Sequence, residues 1–145
     1  DRPMARQVRD LAKGKTIRFD DYKGQIRVLN EIAQEVSKGA KFLIFPEGGY
    51  ANNRNFLQEF KSGCFMAALK SRKPIVPVAI YDSWRAMDTA VPGKVRTQVH
   101  FLEPITEEEY SDMKKKDICD LVKSRIEEKM QELREKDPKT KKMQA

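Results

Sequence analysis

The stretch Lys41-Phe42-Leu43-Ile44-Phe45-Pro46-Glu47-Gly48-Gly49-Tyr50 decides how the chain is read. A short run of apolar, strand-forming residues stops at a proline, and a carboxylate and two glycines follow at once. A buried strand reads this way when it leaves a parallel sheet and hands the chain to a loop. Ligands of open α/β sheets sit at those carboxyl ends. Glu47 is therefore expected at the mouth of a sheet, on a backbone freed by Gly48 and Gly49. Upstream, Leu29, Ile32, Ala33 and Val36 follow the i, i+3, i+4, i+7 pattern of an amphipathic helix over 24–38, with Gly39 as its stop. Downstream, Phe60-Lys61-Ser62-Gly63 opens an apolar helix through about Lys70. A second buried strand over 75–81 is punctuated by Pro74 and Pro77, with a break or bulge expected at Pro77. The order helix, strand, loop, helix, strand predicts an α/β fold with a mainly parallel central sheet flanked by helices.

Three of these pieces together resemble the glycerolipid acyltransferase family, typified by 1-acylglycerol-3-phosphate acyltransferase. Its Phe-Pro-Glu-Gly block matches Phe45 to Gly48, its Phe-Lys-x-Gly matches Phe60 to Gly63, and its Pro-Ile-Val-Pro-Val matches Pro74 to Val78. The four-letter block alone is a weak signal, whereas the three in this order and spacing are a strong one. The resemblance covers about residues 1–104. It implies a glycerol-3-phosphate acyltransferase-like fold, here a partial domain. It also implies that Glu47, Gly48, Gly49 and Lys61 bind substrate, followed by Arg2 and Arg54. Arg2 stands where a family arginine meets the glycerol phosphate; a solvated surface arginine is the plainer alternative. Lys61, beside a helix N-terminus, would hold substrate phosphate, or is simply a surface lysine. Gly63 would shape that phosphate turn, or serve tight packing.

The departures from the family pattern are informative. The family's catalytic H-x-x-x-x-D motif lies upstream of Phe-Pro-Glu-Gly, yet the sole histidine here is His100, with Ile105 five residues on. No catalytic residue is assigned in this chain. The family often continues with Thr-Arg-Ser, where Gly49, Tyr50 and Ala51 stand here, and Arg54 is the candidate to replace the missing arginine. The first residue is Asp1, and with the absent motif the expectation is an N-terminally truncated fragment of a longer protein.

The chain has 145 residues and a formal net charge of +7. That suits an anionic partner: a phosphate-bearing substrate, an acidic carrier protein, anionic lipid or nucleic acid. Cys64 and Cys119 lack C-x-x-C spacing, which fits a reducing compartment and indicates neither a disulfide framework nor a metal site. No apolar run approaches membrane-spanning length and no signal peptide is visible.

Elsewhere, Pro3 suits the first position of a short helix through Lys13, and 16–19 reads as a short strand. Trp84, with Arg85 and Met87, follows the second strand as a membrane-facing rim or as ordinary packing. Residues 95–102 alternate as a half-buried strand. Val95, Thr97, Val99 and Phe101 share one face; Arg96, Gln98, His100 and Leu102 share the polar one, which makes His100 structural. Thr106 and Glu109 form a capping box. A helix over 117–136 carries the stripe Ile118, Leu121, Val122, Ile126, Met130 and Leu133. One α/β domain over 1–137 is expected, followed by a basic disordered tail at 138–145.

By resemblance, the function is transfer of a fatty acyl group to a lysophospholipid hydroxyl. The acyl carrier protein or coenzyme A thioester acts as co-substrate, and no cofactor is needed. A membrane surface is the expected setting, at its cytoplasmic face, with no nucleic-acid partner. The alternative is a non-catalytic basic α/β module that binds phosphate-rich partners. A phosphate-binding kinase or a hydrolase fails for want of G-x-x-x-x-G-K or a nucleophile elbow.

Overall fold

The computed structural model describes residues 14–15, 17, 21–49, 51, 53–88 and 93–137. Arg2, the helix placed at 3–13, most of the strand placed at 16–19 and the tail after Asp137 lie outside them.

Helix α1 spans Tyr22–Ser37. Asp21 caps it by accepting from the Gly24 backbone N–H at 2.9 Å. It ends where Gly39 turns left-handed, at φ +100°. The expected stripe is the buried one: Leu29, Ile32 and Ala33 pack with Ala67, and Val36 and Phe42 lean on the cluster. After Lys61 comes a 3₁₀ turn, Ser62–Phe65, leading into α2, Met66–Ser71.

Strand β1, Val78–Tyr81, pairs antiparallel with β2, Gln98–Phe101. The expected break at Pro77 is present. Pro77 is buried, and before it Ile75 makes a lone antiparallel bridge to Ile105. Helix α3, Glu107–Tyr110, carries the expected capping box, with the Glu109 carboxylate accepting from Thr106 N–H at 3.0 Å. Helix α4, Lys115–Lys136, packs on β1. Its buried stripe of Ile118, Val122, Ile126, Met130 and Leu133 meets Ala79, Tyr81, Ile105 and Tyr110 in the main core.

One expectation is not shown by the described residues, and another needs correction. The mainly parallel sheet is not seen among the described residues, whose one sheet is the antiparallel β1–β2 pair. Residues 41–45, expected as its central strand, are assigned no strand, because no described chain lies alongside to complete a ladder. The faces of β2 are also reversed. Partners across the pair share a face, so Gln98 and His100 sit with Tyr81 and Ala79 on the α4 side. Val99 and Phe101 turn outwards with 52% and 76% exposure. Packing against α4 decided which face was buried, overriding the polarity of the alternation. His100 contacts Gln98 Oε1 at 3.2 Å, consistent with a structural residue.

Candidate functional site

Most of the candidate residues of the sequence fall on one loop, 46–61. At its start Gly48 N–H donates to Phe45 O at 3.2 Å, closing a β-turn with Pro46 at its second position. Gly48 adopts φ +68°, which a side chain would strain. The loop closes on itself. Lys61 N–H donates to Pro46 O at 2.8 Å, and Gln58 Nε2 donates to Gly49 O at 3.3 Å. This is an Ω-type loop, ends together and braced across its neck. Glu47 and Lys61 thus stand beside the two backbone groups that tie the neck.

Glu47 is half-buried, and its carboxylate has no hydrogen-bond or ion-pair partner among the described residues. A carboxylate on a turn at a loop neck, with its oxygens unspent, is suited to accept from substrate hydroxyls. Lys61 is exposed and has no carboxylate partner among the described residues. The helix expected to lend it a dipole is short: a 3₁₀ turn and then one and a half turns of α2. What Lys61 offers is therefore its own charge, with little helix dipole behind it. A side chain at Gly49 or Gly63 would meet open space, so tight packing explains neither glycine.

Arg54 is midway along the loop, at the end away from its neck, in the left-handed region at φ +54°. Its guanidinium lies over the Trp84 ring, 5.0 Å from the centroid, and Arg85 approaches the same ring at 5.8 Å. Trp84 thus packs against cations, and its buried Nε1–H has no acceptor among the described residues. The sequence reading missed what fastens this end. Asn55 stands in a polar loop, where an asparagine ordinarily bonds nearby backbone. Instead its Nδ2 donates to Asp82 Oδ1 and its Oδ1 accepts from Asp82 N–H, both at 2.9 Å. Arg134 of α4 donates to the Asn55 carbonyl at 3.0 Å and lies over Phe56, 4.8 Å from its centroid. The available signals were weak: an asparagine in a polar loop, and an aspartate just past a strand.

Cys64, just after the Lys61 turn, donates to Lys61 O at 3.1 Å. Burial pushes its thiol up to about 12, which disfavours the thiolate. Among the described residues no cluster of three potential metal ligands occurs, and no helix is long and apolar enough to cross a membrane. A shallow depression of about 300 Å³ between α1 and α2 is lined by Asn30, Ala33, Gln34, Ser37 and Lys70 and includes no residue of the loop.

A β-turn bearing Phe-Pro-Glu-Gly, at the neck of a closed loop beside Lys61, defines a class that comparison with known proteins identifies. The acyltransferase family matches residues 3–81, and the chain belongs to that family. Among its relatives is the chloroplastic 1-acyl-sn-glycerol-3-phosphate acyltransferase BAT2 of Brassica napus, 30% identical over 115 residues, which are 76% of this chain and 31% of the relative. The mouse (Mus musculus) 1-acyl-sn-glycerol-3-phosphate acyltransferase alpha is 30% identical over 87 residues, covering 57% of this chain and 30% of the relative. Among solved structures, the 1-acyl-sn-glycerophosphate (LPA) acyltransferase PlsC of Thermotoga maritima matches with a TM-score of 0.60 and 26% identity, over 75% of this chain and 45% of its own. The chain thus spans under a third of the length of the curated relatives it matches and less than half of the solved one.

Proposed function

We propose that this chain forms the acceptor-binding part of a 1-acylglycerol-3-phosphate O-acyltransferase. The observation that carries the reading is the Phe45-to-Gly48 turn at the neck of the closed loop, inside the stretch that matches the acyltransferase family. Glu47 accepts hydrogen bonds from the glycerol hydroxyls and orients the one to be acylated. Gly48 and Gly49 let the acceptor approach the backbone. Lys61 and Arg54 hold its phosphate, with Arg2 as a further cation. The base is a histidine oriented by an aspartate, supplied by chain that precedes this stretch. The acceptor hydroxyl gives that histidine its proton and attacks the thioester carbonyl of acyl carrier protein or coenzyme A. A carbon–oxygen bond forms, the carbon–sulfur bond breaks, and the thiol leaves with the proton. The 145 residues alone bind acceptor without transferring the acyl group. The reaction takes place at the cytoplasmic face of a membrane, from which the acceptor is drawn.

The test is acyl transfer to lysophosphatidic acid by the full-length parent, from labelled carrier-protein and coenzyme A thioesters. Glu47→Gln should lower kcat/KM about 10–100-fold, the cost of a hydrogen bond to a charged group. Lys61→Ala should raise the acceptor KM about tenfold, through one lost charge contact. Transfer from either donor that is indifferent to Glu47→Gln removes the role given to the loop neck. Absence of transfer from both donors favours the basic binding module instead.

A further inference from the structure

We infer that Asn55, Asp82 and Arg134 are positioning residues that preset Arg54 on Trp84 as a docking edge for the acceptor's phosphate. The inference rests on the acyltransferase reading above and extends it to residues outside the three sequence blocks.

Two non-glycine residues in this small region hold left-handed backbone, Arg54 at φ +54° and Asp82 at φ +60°. Such conformations persist only where the surroundings over-determine them, and they cluster at ligand sites. Here the surroundings are the two reciprocal bonds between Asn55 and Asp82, 2.9 Å each, one of them to the Asp82 backbone N–H itself. Because the Asn55 oxygen must face an N–H and its amide must face a carboxylate, only one orientation of the side chain works. Arg134 secures the Asn55 carbonyl from α4, while Tyr81 OH donates to Asp137 Oδ2 at 3.2 Å and ties the end of β1 to the same helix end.

The charges sort in the same direction. Arg85 faces Asp82 at 3.7 Å, and Arg134 is paired with Glu127. Arg54 is exposed and has no carboxylate partner among the described residues. A guanidinium lying on an indole keeps its in-plane N–H edge free, and that edge matches two oxygens of a phosphate monoester. Among the described residues of the cluster, Arg85 and Arg134 are paired with carboxylates and Arg54 is not. The loop thus places a hydroxyl-directed carboxylate, Glu47, at its neck and a phosphate-directed arginine at its fastened end.

Trp84 is the sole tryptophan of the chain, so its fluorescence reports directly on this contact. The experiment titrates the protein with glycerol 3-phosphate, and separately with inorganic phosphate and uncharged glycerol, while following Trp84 emission. Both phosphates should change it saturably and glycerol should not. Arg54→Gln should weaken the midpoint at least about tenfold, the loss of one charged contact. Asn55→Ala and, as a variant that leaves the loop sequence intact, Arg134→Met should weaken it about three- to tenfold, with circular dichroism unchanged. In the full-length parent both should raise the acceptor KM and leave kcat near wild type, the signature of lost ground-state binding. A Trp84 signal that ignores phosphate, or a midpoint lost in Lys61→Ala but kept in Arg54→Gln, overturns the inference. Either result leaves the acyltransferase reading standing on its Glu47 assay. A kcat loss without a KM change in Asn55→Ala also counts against a phosphate-positioning role.

Discussion

Residues 41–45 and 75–81 are the same kind of sequence, a short apolar run closed by turn-forming residues, yet they end in opposite states. In the second, Ile75 bridges Ile105, Val78 to Tyr81 pair with β2, and Ala79 and Tyr81 are sealed under α4 at 0% and 2% exposure. In the first, Phe42 leans on the α1–α2 cluster while Leu43 and Phe45 stand 67% and 66% exposed, with no ladder among the described residues. Both runs are made largely of strand-forming residues. What differs is the neighbour, which supplies both the hydrogen-bond partners and the covering side chains. The Phe45-to-Gly48 turn hangs from the uncovered run, and its geometry is secured by its own loop closure.

The largest effect that could break this contrast is in the cover itself. Ile105 is fully buried and exchanges both backbone bonds with Ile75, at 3.0 and 2.8 Å. Ile105→Ala should cost about 2–5 kcal/mol in urea denaturation, from lost transfer energy plus a cavity. Leu43→Ala should stay within about 0.5 kcal/mol, as surface changes do. Equal losses at the two sites would mean that 41–45 is covered after all.

A smaller effect sharpens the same point. Tyr110 is buried, and its hydroxyl donates to Lys73 O at 2.8 Å, fixing the chain just ahead of the Ile75 bridge. Tyr110→Phe keeps the ring and removes the donor, so it should cost about 0.5–1.5 kcal/mol by thermal or urea unfolding. A neutral result would show that the entry to 75–81 is held by packing alone.

The sequence was most legible where the cause is local. The α1 stripe, the Thr106–Glu109 capping box, the α4 stripe and the break at Pro77 each follow from residues within a few positions of one another. Strand pairing was not legible in the same way, because a ladder needs a second chain segment that no local pattern supplies. The burial of β2 by its polar side was likewise fixed from outside, by α4. Within the candidate site, Glu47, Gly48 and Lys61 were readable as a motif. The Asn55–Asp82 pair was not, since it joins residues 27 apart through side-chain geometry.

Cys64 probes the neck of the loop. Burial, together with Cys119 nearby, raises its thiol to about 12, from an ordinary value of 9.0. A raised thiol favours the protonated native state, so this contribution is complete below pH 9.0 and fades as pH climbs from there towards about 12. Iodoacetamide at pH 8 should therefore modify native Cys64 at least about tenfold more slowly than the urea-unfolded chain, because the thiolate is the reacting form. Equal rates would mean that the neck opens readily, and that the loop is not held closed by Lys61 on Pro46.

The smallest effect concerns the outside of the helix that does the covering. Glu132 lies between Lys129 at 2.8 Å and Lys136, whose ammonium groups hold its carboxyl down at about 2, from an ordinary 4.5. A lowered carboxyl stabilises the native state above its unfolded value, so the contribution is present above pH 4.5 and drains away as pH falls towards 2. The group is solvent-exposed, where salt screens such pairs and their net worth is slight. Following the Glu132 side-chain resonance through acid should give a midpoint near 2 at low salt, moving up towards the ordinary value in 1 M salt. Glu132→Gln should leave the urea midpoint almost unchanged, because α4 is seated by Ile118, Val122, Ile126, Met130 and Leu133 and not by its outer charges. If Glu132→Gln instead loosened α4 and exposed Ala79 and Tyr81 to hydrogen exchange, surface charge would be part of the cover. The difference between 75–81 and 41–45 would then be electrostatic as well as apolar.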